Sequence, residues 1–332
     1  MAPGRRLPTL GRSNMHSASP IRRIAIIGFG EVGGIFGSDL AQQGIAVSTF
    51  DILLSSEQHR QPMMTKARTC GVRAEDTLSD CLREADLVVS AVTATSALEV
   101  AKEAGPILQR HQIFLDINSV SPETKRKAAA HVEQSAGQES AARFVEAAVM
   151  GPVPGKRLKV PMLLGGVHSV AASEALRSLG MNATALSDQI GVAAAVKMCR
   201  SVMIKGLEAL AVECLFAARQ YGAEDAVLDS LAATYPSMGW KEQLPDYLIS
   251  RVAEHGQRRA AEMREVAQTL QHVAVEPMMA LAAAQCQEQL VCEMAERNYA
   301  FQPAKPFSWR SLADALARSK PDRELRISRD EP

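Results

Sequence analysis

"IIGFGEVGGIFGSDLAQQG", Ile26 to Gly44, decides how the rest of the chain is read. Glycine inside a structural element costs conformational entropy, so a cluster of glycines marks backbone that turns tightly or lies close to something. Ile24 to Ile27 is a short apolar run suited to a fully buried strand, and Ile35 to Gln43 reads as a helix closed by Gly44. Between them stands Gly28-Phe29-Gly30-Glu31-Val32-Gly33, a G-x-G-x-x-G. In that setting the first glycine permits the turn, the second lets backbone approach a pyrophosphate, and the third lets helix pack on strand. The helix N-terminus then offers free N–H groups and the positive end of its dipole to phosphates. The whole run from Gly28 to Gly33 is assigned to a dinucleotide, with a purely structural glycine turn as the bland alternative.

The next strand, "AVSTFD", ends in Asp51, 18 residues beyond Gly33. A carboxylate there can accept hydrogen bonds from ribose hydroxyls. It also repels a 2′-phosphate, so NAD is favoured over NADP. His59, Arg60, Lys66 and Arg68 downstream are the cations that would reverse that preference.

Further on, "ADLVVSAV" and "QIFLDINS" supply two more apolar strands, separated by a helical stretch around Ala97 to Leu108. A helix, a strand near Phe144 to Val149, a "GPVPGKR" turn region and a strand "PMLLGG" follow. Strands alternating with helices predict an α/β fold with a doubly wound, parallel, Rossmann-type sheet. From about Gly191 strand signals vanish and alanine-rich helical sequence runs to about residue 300. The expected organisation is a disordered tail at 1–20, a dinucleotide-binding domain at 21–189, an all-helical domain at 190–301 and a loosely attached tail at 302–332. The tail at 1–20 lacks the apolar core of a secretory signal; an upstream start codon or a transit peptide are the other readings.

The chain has 332 residues, enough for two domains with real cores, and its 37 Lys plus Arg balance 37 Asp plus Glu. Zero net charge argues against nucleic acid or an anionic membrane as the main partner. Six scattered cysteines without a CxxC pair suit reduced thiols of a cytoplasmic protein and no metal site. The longest apolar segment, Val192 to Ala218, is interrupted by charges and does not read as a membrane span.

Two places invite chemistry. In "IGVAAAVKMCRSVMIKGLEALAVE", Arg200, Ser201, Lys205 and Glu208 lie 3, 4, 8 and 11 residues beyond Lys197, so the five form one stripe. That stripe is either the solvated face of an amphipathic helix or a polar face turned into a cleft between domains. In "DINSVSP", Asn118, Ser119 and Ser121 project from the carboxyl end of a sheet strand beside the nucleotide. Ser121-Pro122 also fits the start of a helix.

The order of these pieces over roughly residues 21 to 300 resembles the β-hydroxyacid dehydrogenase superfamily, which includes 6-phosphogluconate and 3-hydroxyisobutyrate dehydrogenases. The resemblance implies cofactor contacts at Val92 and Thr93, in "VTATSALEV", and substrate or nicotinamide contacts at Asn118 and Ser119, in "INS". "EAAVMGP", Glu146 to Pro152, looks like a degenerate form of the family's substrate loop. "IGVAAAVK" resembles its Gly-x-Gly-x-x-x-Lys helix, which makes Lys197 the catalytic lysine. Departures accompany the match. The family's Asn four residues after the lysine is Ser201, and the acid that decarboxylating members carry seven residues after it is Ile204. The family's Lys-Asp-Leu aligns with Ala261-Glu262-Met263, and "KMCRSVMIKGLEAL" with "RRAAEM" points to a branch with its own helical C-terminal domain.

The expected function is therefore an NAD- or NADP-dependent dehydrogenase acting on a small 3-hydroxy acid, with Lys197 as general acid and base. Arg200, Lys205 or Arg259 would hold the substrate carboxylate, with Ser201 beside them and Asn118 and Ser119 on its hydroxyls. An NADPH-dependent imine reductase and a non-catalytic dinucleotide-binding protein are the competing readings. Helices such as "EPMMALAAAQCQEQLVCEMA" suggest a homodimer through the helical domain, against packing within one chain.

Overall fold

The structure, a computed structural model, describes residues 21–134, 143–303 and 305–317. The tail expected at 1–20 lies outside the described residues. The chain opens with β1 (Arg23–Ile27), α1 (Glu31–Gln42), β2 (Ala46–Phe50), α2 (Glu57–Thr69), β3 (Arg73–Ala74), α3 (Leu78–Leu82), β4 (Leu87–Ser90) and α4 (Ala97–Ala104). It continues with β5 (Ile113–Asp116), α5 (Pro122–Gln134), β6 (Arg143–Val149), β7 (Met162–Gly165), α6 (Ser169–Ser178) and β8 (Ala183–Ser187). The sheet order is β3-β2-β1-β4-β5-β6-β7-β8. Strands β1 to β6 pair in parallel, β7 runs antiparallel to β6, and β8 is parallel to β7.

Both faces of this sheet are covered, which is why its central strands read as continuous apolar runs. Successive side chains of β1 point to opposite faces. Ile24 and Ile26 enter one core with Phe36 and Leu40 of α1, while Ala25 and Ile27 enter the other with Leu82 and Ala101. Strand order reverses between β1 and β4, which makes their carboxyl ends the switch point, the place beside which sheets of this kind form their ligand crevice.

From Val192 the chain is helical: α7 (Val192–Gln220), α8 (Glu224–Thr234), α9 (Leu244–His272), α10 (Met278–Glu296) and α11 (Trp309–Ala317). Helices α9 and α10 approach closely at Gly256, where a Cβ would lie 2.3 Å from a Val291 methyl and 2.6 Å from the Gln287 carbonyl oxygen. The loose tail expected from residue 302 needs correction over 309–317. Trp309, only 2% exposed, packs with Leu312 and Leu316 onto Leu248 and Val252 of α9. The amphipathic run "WRSLADALA" is short and set among prolines and charges, so it carries little signal on its own.

Candidate functional site

The glycine run lies at the carboxyl end of β1. Gly28 has φ +89°, and a Cβ there would stand 2.7 Å from the Ala91 carbonyl oxygen. A Cβ on Gly33 would stand 2.1 Å from the Gly28 carbonyl oxygen, whereas one on Gly30 would meet nothing within 4 Å. The backbone is thus tight at the outer glycines and open at the middle one. Helix α1 starts at Glu31, earlier than the expected Ile35, with Gly30 as its cap residue and no side chain bonded to its first N–H groups. These groups suit a pyrophosphate.

Within the run the roles differ. The Phe29 ring is fully buried, its N–H donates to Asp51 Oδ2 at 2.7 Å, and its carbonyl accepts from Lys66 Nζ at 2.6 Å. Phe29's ring and backbone N–H are thus engaged within the protein, and its carbonyl carries one bond from Lys66. Glu31 is exposed and Val32 half-buried. Asp51 also accepts from the Leu53 N–H at 3.0 Å, which fixes its carboxylate beside the loop. Of the downstream cations, Lys66 is tied to the Phe29 and Gly30 carbonyls and Arg60 to Leu54 and Asp76, while His59 and Arg68 are exposed.

Across the crevice, Val92 follows β4 and touches the Gly28 turn, its Cγ1 lying 2.8 Å from where a Gly28 Cβ would be. Thr93 is exposed, with its hydroxyl 3.0 Å from those of Thr95 and Ser96. After β5, Asn118 is buried. Its amide nitrogen donates to Ser90 Oγ at 2.9 Å and Asp116 Oδ1 at 2.7 Å, and its Oδ1 has no hydrogen-bond partner among the described residues. Asp116 pairs with Lys125 at 3.0 Å, both 1% exposed.

Lys197 comes to the same place from α7. Its Nζ donates to Ser119 Oγ at 2.5 Å, joining residues 78 apart in sequence. Burial pushes its pKa down to about 8; Lys205, Lys125 and Arg258 push the same way and Glu262 opposes them. An amine that loses its proton near neutrality can serve as acid or base.

Three further residues of the stripe depart from both readings of it. Ser201, Lys205 and Glu208 are buried, facing neither water nor an open cleft. Lys205 is paired with Glu262, and Arg259 lies 2.8 Å from Glu208, so α7 and α9 meet along a seam of ion pairs. Burial lifts Glu208 to about 7 despite Arg259. Lys205 and Arg259, expected to hold a substrate carboxylate, are each paired with a glutamate of the facing helix. Arg200 is exposed and forms no ion pair among the described residues.

In "EAAVMGP", residues 146–149 lie in β6, where a strand was expected at Phe144 to Val149, only Met150, Gly151 and Pro152 lie beyond it, and Glu146 is completely buried. Its Oε1 accepts from the N–H groups of Gly191 at 2.7 Å and Ala193 at 3.1 Å, at the start of α7. A charge in the middle of an apolar strand was the signal. Glu265 of α9, which accepts from the Ser121 N–H at 3.0 Å across the domains, left no signal in the sequence. Among the described residues, no three His, Cys, Asp or Glu side chains gather as metal ligands, and no helix is long and apolar enough to cross a membrane.

A Rossmann-type sheet with its glycine turn at the switch point, joined to a helical domain carrying a lysine into the crevice, defines a class of dehydrogenase-like nucleotide-binding proteins. Residues 23–187 match the NAD binding domain of 6-phosphogluconate dehydrogenase, and residues 218–290 match a domain of unknown function, DUF1932. A conserved hypothetical protein from Sinorhizobium meliloti 1021 has a solved structure 34% identical to this chain, with TM-score 0.71, covering 92% of this chain and 99% of that one. The 3-hydroxyisobutyrate dehydrogenase of Pseudomonas aeruginosa is 26% identical over 230 residues, 65% of this chain and 71% of its own. A Mycobacterium tuberculosis 3-hydroxyisobutyrate dehydrogenase solved with L-serine shares the fold at 15% identity, with TM-score 0.67 over 90% of this chain and 99% of that one. The chain belongs to the 6-phosphogluconate dehydrogenase-like superfamily, in a branch with its own helical C-terminal domain. Its NAD-binding domain and dehydrogenase neighbours support a nicotinamide cofactor.

Proposed function

We propose that the protein is an NAD-dependent dehydrogenase acting on the CH–OH group of a small 3-hydroxy acid, with Lys197 moving the proton. The observation that carries this reading is the 2.5 Å contact between Lys197 Nζ and Ser119 Oγ at the crevice beside the glycine turn. Gly28, Gly30, Gly33 and the free N–H groups of α1 would hold the pyrophosphate, Asp51 the ribose, and Val92, Thr93 and Asn118 the nicotinamide end. The open space over Gly30 and the unpaired Asn118 Oδ1 fit such a group. Asp51 favours NAD, since Lys66 and Arg60 are engaged elsewhere. When bound, the nicotinamide supplies the hydride acceptor or donor.

The chain's own residues do the rest. In oxidation the neutral Lys197 amine takes the hydroxyl proton, with Ser119 orienting it; in reduction the ammonium returns a proton to the carbonyl oxygen. Oxidation therefore speeds up as pH rises through about 8, and reduction slows over the same range. Arg200 is the cation left to meet a substrate carboxylate, with Ser201 a turn beyond Lys197. The free cysteines suit a reducing cytoplasm. A second copy would cover the apolar residues exposed on α7 and α10, making a homodimer.

Lys197→Met tests the reading. With NAD and a panel of 3-hydroxy acids, and cyclic imines as a control, its turnover should fall about a hundredfold or more while NAD affinity holds. Near-normal turnover would remove Lys197 from the chemistry.

A further inference from the structure

The first N–H groups of a helix lack partners within it, and a Ser, Thr, Asp or Asn at the cap position is the usual remedy. Helix α7 has none. Its cap residue is Gly191, with φ +100° and no side chain to offer. The acceptor comes instead from the sheet, 45 residues upstream, where Glu146 Oε1 takes the Gly191 and Ala193 N–H groups. A carboxylate there also meets the positive end of the helix dipole.

The surroundings are shaped for that carboxylate. Opposite Glu146 in the β6–β7 ladder stands Gly165, and a Cβ there would lie 2.3 Å from Glu146 Oε1. On the other side, a Cβ at Gly191 would lie 3.2 Å from Pro122 Cβ, so α5 and β6 grip the start of α7. Glu146 is also paired in register with Asp116 of β5. Asp116 in turn holds Lys125 and the Asn118 N–H, at 3.0 and 2.9 Å, just before Ser119. Two buried carboxylates on adjacent strands thus fix the two partners of the Lys197–Ser119 contact, Asp116 the loop and Glu146 the helix.

We infer that Glu146 is a positioning residue: it pins the first turn of α7 to the sheet and thereby holds the Lys197 amine against Ser119. The inference rests on the reading of Lys197 as the acid–base group, yet its test needs neither substrate nor turnover. Competitive labelling with acetic anhydride across pH, read residue by residue by mass spectrometry, follows the Lys197 amine in the intact protein. The wild-type midpoint is expected at about 8. Glu146→Ala removes the acceptor, and Gly165→Ala displaces it with Glu146 still present. Each should let the amine out toward water, raising the midpoint so that labelling at pH 8 drops about tenfold. Glu146→Gln keeps an acceptor oxygen and should label like wild type. A change confined to Tm, with the midpoint unmoved in Glu146→Ala and Gly165→Ala, overturns the proposal.

Should those variants fail to fold, wild-type hydrogen exchange decides. The Gly191 and Ala193 amides should exchange about a hundredfold slower than unstructured chain, and exchange at the free-chain rate overturns the pinning. A protein that passes both tests but oxidises no hydroxy acid would sink the dehydrogenase reading and leave Glu146 in place.

Discussion

The two halves of the molecule use hydropathy in opposite senses. In the sheet domain apolar residues of β1, β4 and β5 fill the cores, and most of the polar groups that matter stand at strand ends. On α7 the relation is inverted. Ser201, Lys205 and Glu208 are buried, while Met203 is 75% and Leu210 52% exposed. Met278 and Met279 at the start of α10 are exposed too, at 71% and 54%. A buried ion-pair seam is a poor source of stability compared with apolar packing, but it fixes how its helices meet. An apolar exterior of this extent asks for a further surface. The sheet domain is organised around two apolar cores, one on each face, whereas the helical domain sets a buried ion-pair seam beside its apolar clusters and leaves apolar side chains exposed on α7 and α10.

The largest effect expected lies in the sheet domain, where backbone crowding leaves no slack. Gly33→Ala puts a methyl 2.1 Å from the Gly28 carbonyl oxygen, so the turn must open, and both Tm and NAD binding should collapse together. Gly30→Ala meets nothing within 4 Å in the protein. It should melt close to wild type yet bind NAD at least about tenfold more weakly, roughly 1.4 kcal/mol, because the methyl stands where the pyrophosphate would approach. Calorimetric titration with NAD and thermal melts separate the two. Equal NAD affinity in Gly30→Ala and wild type would show that the open space over the turn is not the phosphate site.

Next in size is the seam. Lys205→Met leaves Glu262 largely buried with only Arg258, 3.3 Å away, as an ion-pair partner. Removing one member of a buried pair costs about 3 kcal/mol or more, and replacing both with apolar side chains restores much of it. Urea unfolding of Lys205→Met and of the Lys205→Met/Glu262→Leu double variant measures the difference. The sign at Lys197 also follows. Lys205 pushes its proton off and Glu262 pulls it on, so Lys205→Met should move the Lys197 amine upward in pKa. A single variant as stable as wild type would mean that the seam is solvated in solution.

How much of this was legible in the sequence follows the same divide. The glycine turn could be read because its determinants lie within Gly28 to Gly33 and each glycine answers a local steric demand. The doubly wound, mainly parallel sheet followed from alternation of apolar runs with helices, whereas the antiparallel β7 did not. The orientation of α7 could not be read, because a polar stripe at helical spacing looks the same whether it faces water or a partner helix. Only the complementary charges of Glu262 and Arg259, more than 50 residues away, decide it. Glu146 falls inside the strand expected at Phe144 to Val149, and nothing local to that strand names its partner. Its capping role depends on Gly191, which tertiary structure alone brings within reach. The Trp309 helix is a related case, since its nine residues acquire a face only against α9.

The smallest expected effect tests the outward side of α7. Met203→Ser and Leu210→Ser exchange exposed apolar groups for polar ones, and neither residue contributes to a core within the chain. Surface changes of this kind typically alter the stability of a single chain by no more than about 0.5 kcal/mol. If a second copy covers this side, the pair should instead shift sedimentation from dimer toward monomer, and Tm should become dependent on protein concentration as association weakens. The partner would then add apolar packing on the outward side of α7 to the clusters the helical domain already buries. An unchanged sedimentation profile in the double variant, with wild-type monomeric at the same concentration, would show that no second copy covers this side and leave the internal clusters and the seam to hold the helical domain together.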